Sequence, residues 1–145
     1  MTTTTKKIRE ELTSRLLALA ETSASNIGKV LNPDEARNPA NRPASGKRFA
    51  VLWTLEGRLQ DQRAGKLQWQ QSFAVDVAVE WKGTETEAIL DKMRLELASA
   101  FASQFTGLAV QKQTLQDITI GYPSEGSRYA VVSVVADYTY IETLT

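Results

Sequence analysis

Apolar residues recur at helical spacing in the first segment of the chain. Ile8, Leu12, Leu16 and Leu19 are separated by four, four and three positions, and Leu17 widens the stripe. Lys6, Lys7, Arg9, Glu10, Glu11 and Arg15 fill the positions between them. The spacing predicts a helix over 5–20. It needs a surface to dock on, because an isolated helix of this length is marginal in water. Over 21–48 the pattern stops. Asn32-Pro33, Asn38-Pro39, Arg42-Pro43 and Ser45-Gly46 punctuate the stretch. It is expected to be a long loop, in which Ile27, Val30 and Leu31 could form a brief strand. A loop of this length is either functional or mobile. It therefore reads as a solvated loop or as an arm that orders on a partner.

Strand periodicity then takes over. Phe49, Val51, Trp53 and Leu55 alternate with Ala50, Leu52 and Thr54. A polar run from Gln60 to Lys66 contains Gly65, and strand pattern resumes by Trp69. Phe73, Val75, Val77, Val79 and Trp81 face one way, while Ser72, Ala74, Asp76, Ala78 and Glu80 face the other. That is a sheet with one buried and one wetter face. The two strands predict an antiparallel hairpin over 49–81 around the Arg63–Lys66 tip. In-phase placement suggests that Trp53 and Trp81 pack in the core; Trp69 has no such explanation.

Lys82-Gly83 turns the chain. Thr84 and Glu87 match a capping box, and Glu85 and Glu87 suit the positive end of a helix dipole. A helix is predicted over 85–104 with Ile89, Met93, Leu97, Ala100 and Phe101 as its stripe and Gly107 as terminator. A β-pair follows over 115–141. Its last strand is apolar on both sides: Ala130, Val132, Val134, Ala136, Tyr138 and Tyr140 on one, Val131, Val135 and Ile141 on the other. Such a strand is expected to be buried on both faces. With only two helices available, the second cover would come from another subunit. The chain, 1–145, is thus predicted as a single α+β domain of order α-β-β-α-β-β. A mainly antiparallel four-stranded sheet would carry both helices on one face. The expected core includes Val75, Val77, Val79, Ile89, Met93 and Leu97.

Composition narrows the chemistry. The chain has no Cys and no His among its 145 residues. Disulfides, thiolate or imidazole metal sites and His-dependent nucleophilic catalysis are excluded. Net charge is zero, but residues 1–28 carry +1, residues 29–66 carry +4 and residues 67–145 carry −5. A balanced chain split in this way is a poor general nucleic-acid binder and suits self-association. Asn41 to Arg48 superficially resembles a phosphate loop, but the first Gly and the closing Ser or Thr are missing. Asp76, Glu80 and Asp137 are the carboxylates that could support a metal or acid–base chemistry; acidic positions on a half-exposed sheet are the simpler explanation. No catalytic, cofactor-binding or metal-ligating residue is assigned, and no cofactor is expected. No apolar run is long enough to span a bilayer. The Thr2–Thr5 and Lys6-Lys7 start lacks the apolar core of a secretory signal.

The element order, the acidic-started helix Thr84-Glu85-Thr86-Glu87-Ala88-Ile89, and the closing strand from Tyr129 to Tyr138-Thr139-Tyr140 carry a family resemblance. Over residues 5–142 the chain resembles the tail terminator, or tail completion, proteins of long-tailed bacteriophages and related neck and minor tail proteins. The resemblance implies a non-enzymatic virion protein made in the host cytoplasm. It would form a homo-oligomeric ring, a hexamer in that family, that caps the tail tube, stops its polymerisation and offers the head-joining surface. Implied partners are the tail tube protein, head–tail connector proteins and DNA passing through the channel without sequence-specific binding; no membrane is involved. The expected assembly interface comprises Arg42, Lys47, Arg48, Arg58, Arg63, Lys66, Val131, Val135 and Ile141. Another neck or minor tail component, a small non-catalytic binding adaptor, and a carboxylate-dependent enzyme centred on Asp76, Glu80 and Asp137 are the alternatives.

Overall fold

In chain order the elements are α1 (Thr4–Leu17), β1 (Ile27–Leu31), α2 (Pro33–Ala36), a 3-10 turn (Pro39–Asn41), β2 (Arg48–Arg63), β3 (Lys66–Glu80), α3 (Thr84–Ala102), β4 (Val110–Gly121) and β5 (Tyr129–Thr143). This computed structural model describes residues 3–20, 23–43, 46–124 and 126–144. One mixed sheet has the order β1-β2-β3-β5-β4. β1 runs parallel to β2, and every other pair is antiparallel.

The hairpin of β2 and β3 forms the spine, with Arg63 paired to Lys66 across the tip. Only Ala64 and Gly65 join the strands, and both have positive φ, 44° and 79°. A two-residue turn of the primed type needs that pair of angles, because its twist matches the strands it connects. The strands therefore continue through the polar run expected to be loop.

The α+β class holds, but the sheet has five strands rather than four, and it is mixed. The extra strand β1 and the short α2 both lie in the stretch expected to be loop. β1 shows only a five-residue apolar fragment in sequence, and its partner in β2 lies about twenty residues further on. That pairing leaves no local period to detect. α2 opens with a capping box. Asn32 Oδ1 accepts from the Glu35 N–H at 2.8 Å, Glu35 accepts from the Asn32 N–H at 3.0 Å, and Pro33 sits at the first turn.

α1 and α3 lie on one face of the sheet. α1 buries Ile8, Leu12 and Leu16; α3 buries Leu90, Met93, Leu97 and Phe101. They cover Phe73, Val75, Val77 and Val79 of β3 and the Ala130-to-Tyr140 row of β5. Ile89 is half-buried beside this core, and Leu17 is exposed instead of widening the stripe. The expected capping box on α3 does not form. Thr84 is already helical, and Gly83, at φ 84°, holds the cap position without a side chain. Arg15 closes the other end of α3. Its guanidinium donates to the carbonyls of Ala100, Ser103 and Gln104 at 2.7–2.9 Å and stacks 4.4 Å over Phe105. A cation at a helix C-terminus satisfies the last carbonyls and the dipole together.

Two buried phenols give the fold an alkaline limit. Tyr138 donates to the Phe101 carbonyl at 2.7 Å, and Tyr140 is hydrogen-bonded to Thr5. Burial pushes both hydroxyls above their ordinary value of 10.0. The unfolded phenols ionise first, so the stability that these groups contribute is present below about pH 10 and lost as pH rises beyond it. Urea midpoints should hold from about pH 8 to 10 and drop by pH 11, and Tyr138→Phe should flatten that drop.

Candidate functional site

Strand alternation leaves a second face that neither α1 nor α3 covers. The register places Ser72, Ala74 and Asp76 of β3 beside Asp137, Val135 and Ser133 of β5 on this side. Val51 and Trp53 continue the surface toward β2, and Thr114, Asp117 and Thr119 toward β4.

Two carboxylates on this face, Asp76 and Asp137, are occupied locally. Asp76 accepts from Trp53 Nε1 at 2.9 Å and from Ser133 Oγ at 2.5 Å. Asp137, only 8% exposed, accepts from Gln70 Nε2 at 2.8 Å and also from Ser72 and Gln116. Asp137 pairs with Ser72, four positions along β3 from Asp76, which is roughly 13 Å at strand rise. Glu80 lies four further on, opposite Tyr129. The three share a face, but no two are close enough to share a proton or one ion. Among the described residues no group of three or more acidic side chains could hold a metal. Beside Asp137 lies an open concavity of about 640 Å³, lined by Leu55, Glu56, Arg58, Gln70, Gln116 and Val135 among others.

The residues expected at an interface divide into three places. Val131, Val135 and Ile141 fall in one row on the helix-free side of β5; the first two are half-buried, and Ile141 is 38% exposed. Arg58 joins that face opposite Gln70, paired with Glu56 at 3.2 Å. Arg63 and Lys66 flank the hairpin tip, where Arg63 meets Asp61 at 2.9 Å. Arg42, Lys47 and Arg48 lie at the other end of β2, whose sixteen residues span roughly 50 Å, so the six cations are not one patch. Arg42 rests 5.5 Å over the Phe49 ring, and Lys47 is exposed.

Arg48 does not belong with the surface groups. Its guanidinium donates to the carbonyls of Ala24 and Ser25 at 2.7 and 3.3 Å. Burial pulls its pKa down, partly offset by Glu96. Trp53 also departs from expectation: it lies 38% exposed on the helix-free face, because Ala50 and Leu52, not the aromatic set, point into the core. Both phases of β2 are apolar, so alternation alone could not choose between them. Trp69 faces the helices and packs over Gly57, where an added Cβ would fall 2.5 Å from the indole. Sequence reasoning passed over Gln70 and Gln116. Gln70 had one signal, a row of polar positions at 68, 70 and 72 in phase with Asp76; Gln116, at a register shift of β4, had none.

No protein-family model matches the chain, and no curated protein matches it at a significant level. Among the described residues no helix is long and apolar enough to cross a membrane.

Proposed function

We propose that the chain is a structural protein of long-tailed phage virions. It would act as a tail terminator, forming a homo-oligomeric ring that caps the tail tube, stops its growth and presents the surface to which the head is joined. The observation that carries this reading is the helix-free face. It holds Trp53, Leu55, Val131, Val135 and Ile141 in partial contact with solvent, and Asp76 and Asp137 among them are tied down by neutral donors. A row of apolar side chains around satisfied polar groups suits a packing surface. The separated cations at the two ends of β2 suit contacts with different neighbours. A head-to-tail contact of this kind closes into a ring when its rotation divides a full turn.

Light scattering and negative-stain imaging of the purified chain test the proposal. A ring several times 16.0 kDa is expected, alone or once tail tube is added. A chain that stays monomeric at tens of micromolar with tube present overturns it. Reversing Arg58, Arg63 and Lys66 together to Glu should leave the melting transition in place, since all three are exposed. It should weaken ring formation or tube capping. Each exposed pair contributes only about 0–1 kcal/mol, so single changes are expected to be nearly silent. The triple effect should be largest at low salt, where screening is weakest. Normal rings and capped tails from the triple variant would remove these three residues from the interface.

A further inference from the structure

We draw no further inference here: the strongest candidate, the open concavity beside Asp137 on the helix-free face of the sheet, has its charged groups already partnered within the chain, Asp137 by Gln70, Ser72 and Gln116 and Arg58 by Glu56, so nothing in the structure shows what would occupy it.

Discussion

Val77→Asp should abolish the cooperative thermal transition. Val77 is fully buried in the C-terminal half of β3 and lies under the helices beside Ala50 and Val132. Two costs add. The apolar contacts of the valine are lost, at about 1.5–3 kcal/mol for a buried aliphatic side chain. A carboxylate then has to be desolvated, or kept protonated, with no donor facing it, which costs several kcal/mol more. Their total is comparable with the whole stability of an ordinary domain, about 5–15 kcal/mol. Circular dichroism on heating is the measurement. Ala78→Asp, one position away on the helix-free face, is the phase control; that site is exposed, and the variant should melt close to the parent. A Val77→Asp variant that melts like the parent while Ala78→Asp does not would mean that β3 presents the opposite face to the core.

That contrast also marks how far periodicity carries. β3 was legible because its two faces differ chemically: Phe73, Val75, Val77 and Val79 alternate with Ser72, Asp76 and Glu80. α1 and α3 were legible because their stripes run for three or more turns. β2 was legible as a strand, but its phase was not, since Phe49, Val51 and Trp53 are as apolar as Ala50 and Leu52. β1 was missed as a sheet member because its partner is distant in the chain, and α2 because one turn is too short to show a period. The doubly apolar look of β5 was correct in composition. Its expected second cover is not supplied by this chain: the helices bury the even positions, and Val131, Val135 and Ile141 retain contact with solvent.

For the candidate surface, residue type was legible and position was not. Counting charge located a basic stretch, but a long antiparallel hairpin sends its cations to opposite ends of the molecule, and one of them inward. Arg48 follows Lys47 in sequence, yet Lys47 precedes the strand and is solvated, while Arg48, the first residue of β2, braces the Ala24–Ser25 segment. Asp76 and Glu80 were legible as sharing one face of β3; that Asp137 joins that face on the neighbouring strand follows only from the register. The hydrogen-bond partners of Asp76 and Asp137 come from four strands, β2 to β5, and that arrangement depends on register.

The brace at Arg48 leads to the second large effect, on Glu96. Ala24 and Ser25 have no strand or helix to satisfy their backbone, and Ser25 is fully buried. Glu96, on α3, accepts from the N–H groups of Ala24 and Ser25 at 3.1 and 2.8 Å and from Ser25 Oγ at 2.5 Å. Arg48 takes the two carbonyls of the same residues. One carboxylate and one guanidinium therefore clamp a dipeptide from both sides, and the chain enters β1 from there through Asn26 at φ 44°. Glu96→Ala removes three hydrogen bonds to a charged acceptor and strands the half-buried guanidinium. The expected loss is about 2–4 kcal/mol, the range for charged hydrogen bonds whose partners are left buried. Glu96→Gln keeps one acceptor oxygen and should lose roughly half as much. Denaturant midpoints measure both. Hydrogen exchange should locate the damage, with amides of Ile27–Leu31 losing protection before those of β3, because β1 is held to the sheet edge through this clamp. In the Arg48→Met background the Glu96→Ala cost should shrink, since the stranded charge is gone. A Glu96→Ala stability within about 0.5 kcal/mol of the parent, the spread of ordinary surface changes, would show that the clamp does not hold β1 in place.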